Sequence, residues 1–277
     1  MISSFKKVKI KLYHSQGVMR DLGWTCLVTG ANRGLGYEFI KQCVAATRET
    51  GGSAYYICCC RTPDNAAQLH QLIEDNSSDK IKFSVLKLEV TSARDRENVV
   101  QFCEEKLEKC GLNLLVNNAG IMPHYCSEGI ETVEGSELHR TYKNNFIGPT
   151  LLTKGLIKLI RLAAARNPNK TKILSISSKS GSVGHKRFMI GGAYDYRCSK
   201  VAINRTARNL AAQYGTEGVI VLPVCPGWAA TDMGNRGHLK AEVPVVDSIE
   251  GVRQAIRNAT QSTNGLFVDH LGEYPPW

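Results

Sequence analysis

Two residues four positions apart indicate what chemistry this chain could perform. Tyr196 and Lys200 lie in the stretch 191–200, GGAYDYRCSK, and side chains at positions i and i+4 share one face of a helix. A free tyrosine has a pKa of about 10, and a neighbouring ammonium group favours the phenolate and lowers that value. The pair could therefore exchange a proton in carbonyl and alcohol chemistry. The same spacing also occurs by chance on surface helices, so other parts of the chain must decide.

A glycine-rich turn, TGANRGLG at 29–36, follows the first apolar run of the chain, Thr25–Thr29. Gly30, Gly34 and Gly36 leave no side chain where the chain reverses, where a pyrophosphate approaches the backbone and where a helix packs on a strand. Phosphates would face the free N–H groups at the start of that helix. The turn could be purely structural, but its place between a first strand and a helix favours a dinucleotide site.

The end of the second predicted strand indicates which dinucleotide binds. NAD binders favour an acid at this point, whereas NADP binders place an arginine near the 2′-phosphate. Here the strand Ala54–Cys60 is followed by Arg61, and no acid occurs before Asp64. Arg33, in the glycine-rich turn, is a second guanidinium that could clamp the same phosphate. The alternative is that both arginines are simply solvated.

Strands alternate with helices along most of the chain. The predicted strands are Thr25–Thr29, Ala54–Cys60, Ile81–Leu88, Leu112–Val116, Thr171–Ser177 and Val219–Val224. A first helix follows the glycine-rich turn, and the later predicted helices are Pro63–Glu74, Ser92–Lys109, Gly135–Ala165 and Tyr194–Tyr214. This alternation predicts an α/β fold: a single Rossmann-like domain with a doubly wound parallel sheet of about seven strands and helices on both faces. We expect one domain at 23–277 and a poorly ordered N-terminal extension, or an alternative start, at 1–22. Because residues 1–22 are basic and have no acid before Asp21, the alternative is an organelle-targeting peptide.

Composition narrows the classes of partner. The net charge is +10, but Lys and Arg are spread along the chain without interleaved aromatic residues, so no nucleic-acid partner is expected. The ten cysteines form no CxxC pair and no zinc-binding pattern, so we expect no metal site. They are expected to be reduced thiols of a cytoplasmic protein. No run of about 18 apolar residues is present, so no membrane span is expected.

Six motifs, in order, resemble those of the short-chain dehydrogenase/reductase family. They are TGANRGLG at 29–36, NNAG at 117–120, NFIG at 145–148, SSKSG at 177–181, YRCSK at 196–200, and PG at 226–227 followed by Thr231. More narrowly, GLNLLVNNAGIM at 111–122 and PGWAATDM at 226–233 are similar to the sniffer/C-factor branch of carbonyl reductases. The resemblance implies NADPH-dependent reduction of small aldehydes, ketones or quinones. It also implies a homodimer or homotetramer formed through two long helices.

The resemblance implies a catalytic role for four residues. Tyr196 would give its proton to the carbonyl oxygen, and Lys200 would lower the pKa of the phenol and hold the nicotinamide ribose. Ser178 would hydrogen-bond the same carbonyl oxygen, and Asn145 would steady a water molecule that links Lys200 to solvent. Together these groups stabilise charge where it develops.

Each of two neighbouring residues competes for one of these roles. Ser177 is adjacent to Ser178, but strand alternation should turn its side chain to the other face. Tyr194 is close to Tyr196, but position 198 is a cysteine, so Tyr194 has no lysine four residues later. We therefore assign the roles to Ser178 and Tyr196.

The resemblance also implies contacts with cofactor and substrate. The expected NADP(H) contacts are Gly30, Asn32, Arg33, Gly34, Leu35, Gly36, Arg61, Glu89, Val90, Asn118, Ala119, Gly120, Tyr196, Lys200, Pro226, Gly227, Trp228 and Thr231. The expected substrate contacts are Ser178, Tyr196, Met122, Phe188 and Trp228. The alternative function is an NADP(H)-binding redox-sensing or signalling module with little turnover. Such proteins often lose one of the four catalytic residues, and this chain keeps all four.

Overall fold

The protein is described by a computed structural model that covers residues 11–12, 24–123, 129–185, 192–235 and 240–277. The expected N-terminal extension at 1–22 lies outside these ranges, except for one short segment. That segment is strand β1 (Lys11–Leu12), which pairs antiparallel with a strand of the main sheet at Ser84 and Val85. The sequence pattern of this segment predicts no strand.

The centre of the fold is one eight-stranded sheet. After β1, its strands are β2 (Trp24–Thr29), β3 (Ala54–Cys60), β4 (Ile81–Lys87), β5 (Leu114–Asn117), β6 (Thr171–Ile176), β7 (Val219–Cys225) and β8 (Val268–Asp269). Their order in the sheet is β1-β4-β3-β2-β5-β6-β7-β8, and every pair except β1 with β4 is parallel. The predicted doubly wound Rossmann-like sheet, with seven parallel strands, is confirmed.

Helices cover both faces of this sheet. They are α1 (Gly34–Glu49), α2 (Ala67–Asn76), α3 (Ala93–Leu107), α4 (Gly135–Tyr142), α5 (Gly148–Arg166), α6 (Tyr194–Tyr214) and α7 (Val245–Asn258). Apolar residues of α1, α2 and α7 pack on one face, and those of α3, α5 and α6 pack on the other. Among the described helices, none is both long and apolar enough to cross a membrane.

Strand β3 is buried on both faces, and its sequence therefore does not alternate between apolar and polar residues. Its residues, AYYICCC, are all buried. Tyr56, Cys58 and Cys60 face one core cluster, while the intervening residues face the other. A strand covered on both faces is apolar at every position. The three consecutive cysteines are therefore core residues, and burial raises the pKa of the Cys60 thiol to about 11.

The structure differs from the elements predicted from the sequence at three places. The predicted helix Gly135–Ala165 is two helices, α4 and α5, separated by a π-helical turn at Lys143–Ile147. The sequence analysis assigned no element after Val224, yet α7 and β8 both follow it. The predicted helix Pro63–Glu74 begins as a single 3₁₀ turn and becomes α2 only at Ala67.

Candidate active site

The sheet order reverses between β2 and β5, and this is where the glycine-rich turn lies. In such sheets, ligands bind in the crevice beyond the carboxyl ends of the strands at the reversal point. The turn leads from β2 into α1 with positive φ at Gly30 (67°) and Gly34 (55°). A side chain at either position would be strained, so glycine is required there. Leu35 packs partly on the core below the turn, and Asn32 is half-buried.

Gly36 has a different role, because its φ is not positive. A Cβ atom here would overlap the carbonyl oxygen of Gly30 and lie 2.6 Å from Nδ2 of Asn118. Asn118 in turn donates hydrogen bonds to the carbonyl oxygens of Thr29 (2.8 Å) and Gly30 (3.2 Å). The absence of a side chain at Gly36 therefore lets α1, the turn and the end of β5 meet.

This packing makes Gly36→Ala a test of the turn. We expect the free energy of unfolding to fall by about 1–3 kcal/mol, as for overpacked sites whose neighbours cannot move. The measurement is urea denaturation followed by circular dichroism. Gly135→Ala, at the start of α4, is the matched control because its added Cβ would meet no atom within 4 Å. Equal stability of the two variants would contradict the packing argument.

The two arginines predicted at the 2′-phosphate are both exposed. Arg33 is the residue before α1, and its side chain makes no capping bond. Its guanidinium lies 2.7 Å from the carboxylate of Asp232, which follows Thr231 on the opposite side of the crevice. Arg61 follows β3 directly. This ion pair cannot be predicted from the sequence, because no spacing pattern connects residues 199 positions apart.

The ends of β4 and β5 bring the predicted adenine and ribose residues to the same edge. The backbone N–H groups of Asn118 and Ala119 both donate to the Thr29 hydroxyl at 3.0 Å. The Glu89 carboxylate accepts hydrogen bonds from the backbone N–H (3.3 Å) and the hydroxyl (3.2 Å) of Thr91. Val90 is buried, and its carbonyl oxygen leaves no room for a side chain at Gly148. These contacts hold the loops in place around the crevice.

The loop after β7 carries the residues predicted at the nicotinamide. The carbonyl oxygen of Pro226 accepts a 2.6 Å hydrogen bond from Ser248 of α7. Gly227 has a φ of 74°, and a Cβ there would lie 2.7 Å from the His270 ring. Trp228 is 41% exposed, and its indole donates to the Gly234 carbonyl. A side chain at Gly34 would meet the Thr231 methyl group at 3.4 Å, so the two sides of the crevice are close.

Lys200 is the most unusual charged group of the site. It is 5% exposed, and its Nζ atom donates a 2.7 Å hydrogen bond to the carbonyl oxygen of Ile176 at the end of β6. The same Nζ lies 5.4 Å from the ring centroid of Tyr196. Burial lowers the pKa of Lys200 to about 8. The i, i+4 spacing on α6 therefore places the ammonium group beneath the phenol ring.

Asn145 lies in the π-helical turn between α4 and α5, and it is buried. Its side chain accepts a hydrogen bond from the Ile121 N–H (2.8 Å) and donates to the Ile121 carbonyl (2.9 Å) and the Ser199 hydroxyl (3.0 Å). A Cβ at Gly120 would lie 3.2 Å from Asn145 Oδ1 and 3.9 Å from Lys200 Nζ. Asn145, Gly120 and Lys200 are therefore neighbours, and the π turn is a common feature of functional sites.

The two candidate serines after β6 point to different sides. Ser177 is buried, and its hydroxyl donates a 2.5 Å hydrogen bond to Asn204 of α6. Ser178 is half-buried, and its hydroxyl accepts a hydrogen bond from the Ser180 N–H at 3.1 Å. A serine hydroxyl that accepts one bond still has its own hydrogen to donate. Ser177 is therefore committed to the core, as alternation predicted, and Ser178 is available to a ligand.

The predicted substrate contacts are only partly described. Met122 is half-buried after β5, and Trp228 is exposed at the loop after β7. Phe188 lies outside the described residues. Within the described part of the chain, no cluster of three or more His, Cys, Asp or Glu side chains could hold a metal ion.

Comparison with known proteins identifies the family. A model of the short-chain dehydrogenase family matches residues 25–241. The chain belongs to this family of oxidoreductases. The resemblance found in the sequence is thereby confirmed, and it extends over most of the chain.

Individual relatives agree with the narrower resemblance. C-signal of Myxococcus xanthus is 31% identical over 166 residues, which cover 60% of this chain and 93% of C-signal. The carbonyl reductase Sniffer of D. melanogaster matches with a TM-score of 0.81 and 29% identity, covering 93% of this chain and 100% of that one. An NADPH-bound carbonyl reductase from chicken fatty liver matches with a TM-score of 0.80 and 30% identity, covering 91% and 98%.

Proposed function

We propose that the protein is an NADPH-dependent reductase of aldehyde, ketone or quinone carbonyls. One observation carries the proposal: a buried Lys200 ammonium group beneath the Tyr196 phenol, beside Asn145, at the carboxyl edge of the sheet. Ser178 lies two residues after β6, and its hydroxyl hydrogen is available to a ligand. The solved carbonyl reductases that match the chain, one of them bound to NADPH, support the same reaction.

The residues at the sheet reversal fit a dinucleotide. Gly30, Gly34 and Gly36 form a cradle that side chains would fill or strain. The N-cap residue Arg33 makes no side-chain capping bond, and the first turn of α1 holds no acidic side chain that would repel an anion. The start of α1 therefore suits a phosphate. Arg33 and Arg61 would hold the 2′-phosphate, and Thr231 would contact the carboxamide. When bound, NADPH supplies the hydride.

The proton is handled by residues of this chain. Tyr196 donates its phenol proton to the carbonyl oxygen of the substrate. The Lys200 ammonium group stabilises the phenolate that remains, and its burial strengthens this interaction because little water screens it. Ser178 donates a hydrogen bond to the same oxygen and so orients the carbonyl group. Asn145 fixes the loop at Ile121 against α6 and keeps Lys200 in position.

Arg33 is expected to select NADPH over NADH. Replacing Arg33 with alanine should raise the Kd of NADPH about tenfold or more, because hydrogen bonds to charged groups contribute about 1.5–3 kcal/mol. The Kd of NADH should not change. Asp232→Asn should act in the opposite direction and tighten NADPH binding, because Asp232 competes for the same guanidinium. Fluorescence titration with both cofactors measures this, and equal losses for both would contradict the assignment.

The proposed function is tested by following NADPH absorbance with a panel of aldehydes, ketones and quinones. We expect turnover with at least one class, and NADH should be a poorer donor. Tight NADPH binding without turnover across the panel would reject the reductase. That result would favour the alternative function, a redox-sensing or signalling module. The relative C-signal has a name that indicates signalling.

A further inference from the structure

A carboxylate that the proposed reaction does not use is buried at the end of β8. Asp269 is 0% exposed. One of its oxygens accepts hydrogen bonds from the N–H groups of Leu271 and Glu273, both at 2.9 Å. The other lies 2.7 Å from Nζ of Lys179. Burial raises the pKa of Asp269, but its bonds to Lys179 and to the backbone outweigh that effect, so the pKa is lowered overall. Asp269 is therefore a charged carboxylate that holds the Lys179 ammonium group in place.

Lys179 is the residue that follows Ser178. It begins the short 3₁₀ turn Lys179–Gly181 that Ser178 caps. Besides the ion pair, its backbone N–H donates to the Cys225 sulfur at 3.2 Å. Cys225 is paired with Asp269 in the register of β7 and β8. The backbone N–H of Lys179 is thus held by β7, and its ammonium group is held by the neighbouring position on β8.

The other end of the turn rests on the catalytic helix. A Cβ at Gly181 would lie 2.7 Å from backbone and side-chain atoms of Lys200. The Gly181 carbonyl accepts a hydrogen bond from Asn204 of α6 at 3.2 Å. The turn after Ser178 is therefore held between α6 on one side and the β8 anchor on the other.

We propose that the ion pair between half-buried Lys179 and buried Asp269 positions Ser178 for hydrogen bonding to the substrate carbonyl oxygen. The inference rests on the proposed reductase function. Asp269 and Lys179 are positioning residues, because they contact neither the substrate nor the cofactor in this scheme. Small errors in the placement of a reacting or orienting group lower the rate strongly, whereas NADPH binding across the glycine-rich turn does not depend on this anchor.

The test measures kcat, KM and NADPH affinity for Asp269→Asn, Lys179→Met and the double variant. We expect each single change to lower kcat about tenfold or more, with an unchanged Kd for NADPH. Lys179→Met leaves a buried, unpaired carboxylate, which is strongly destabilising, and the double variant removes that charge. The double variant should therefore regain thermal stability while its kcat stays low.

Measurements on a Ser178→Ala protein show whether the loss of kcat acts through Ser178. In a Ser178→Ala protein, Asp269→Asn should cause no further loss of kcat, because residues that act through one another are not additive. Lys179→Arg keeps the charge pair and should retain most of the activity. Lys172→Met is the matched control: this half-buried lysine donates to the Ile256 carbonyl at the end of α7, away from the serine. It should leave kcat unchanged.

Three results would overturn the inference. The first is an unchanged kcat in Asp269→Asn and Lys179→Met. The second is a kcat that recovers with stability in the double variant, and the third is an equal loss on Lys172→Met. If Asp269→Asn does not fold, Lys179→Met and Lys179→Arg decide. Turnover by the wild-type protein separates the two questions: an active wild type with unaffected variants rejects only the role of the ion pair.

Discussion

Replacing Tyr196 with phenylalanine is expected to lower the kcat of carbonyl reduction by a factor of about 10²–10⁴, the range for loss of a positioned general acid. The change removes only the phenol oxygen. The ring that lies over the Lys200 ammonium group remains, so α6 should keep its packing. The Kd of NADPH should stay close to its wild-type value, because the glycine-rich turn and the arginines are untouched. Stopped-flow measurement of NADPH oxidation and fluorescence titration give the two quantities separately.

Tyr194→Phe is the matched control for this change. It removes the same atom from the same helix, but Tyr194 has no lysine one turn later. Its kcat should remain close to that of the wild type. An unchanged kcat in Tyr196→Phe would reject the assignment of the general acid. A similar loss in both variants would mean that the first turn of α6, and not one phenol, controls the rate.

The parts of the site that the sequence predicted are those fixed by short-range constraints. Gly30 and Gly34 both have positive φ, and this requirement is visible because other residues rarely meet it. The opposite directions of Ser177 and Ser178 follow from the two-residue period of a strand. The spacing of Tyr196 and Lys200 follows from the helical repeat. Each constraint operates within a few residues, so the sequence alone carries it.

The parts that the sequence did not predict depend on distant residues. The π turn at Lys143–Ile147 interrupts an otherwise continuous helical pattern, and nothing in its composition marks it. Strand β8 has two residues, too few to show any period. The ion pairs Arg33–Asp232 and Lys179–Asp269 join parts of the chain that meet only after the sheet has formed. Long-range pairs of this kind leave no spacing signal.

Lys200 gives the second large expected effect, which concerns stability. Burial lowers its pKa from 10.5 to about 8 in the folded protein. Between these two values the unfolded chain binds more protons than the folded one, so the contribution of Lys200 to stability rises with pH. Below pH 8 the lysine is charged in both states, and its burial opposes folding in full. At 1.36 kcal/mol for each pKa unit, the opposing free energy at pH 7 is about 3 kcal/mol.

Lys200→Met removes this titration. We expect the difference in unfolding free energy, wild type minus variant, to increase by about 3 kcal/mol between pH 7 and pH 10.5. Urea denaturation across that range measures the difference, with both proteins carrying Tyr196→Phe because the Tyr196 phenol would otherwise titrate differently with and without Lys200. Groups that do not interact with Lys200 cancel because both proteins contain them. Parallel pH profiles for the two proteins would show that the lysine is not desolvated.

Lys200→Met should also lower activity, although it removes a buried charge that opposes folding. Without the ammonium group the Tyr196 phenolate loses the charge that lies 5.4 Å from its ring, so kcat should fall in Lys200→Met by a factor comparable to that in Tyr196→Phe. In the wild type, kcat/KM for reduction should decline as the pH rises through about 8, where Lys200 loses its charge. A buried charge that opposes folding and is needed for turnover is a functional group. In the proposed mechanism the burial of Lys200 beside Tyr196 serves proton transfer, whereas packing alone does not favour a buried charge.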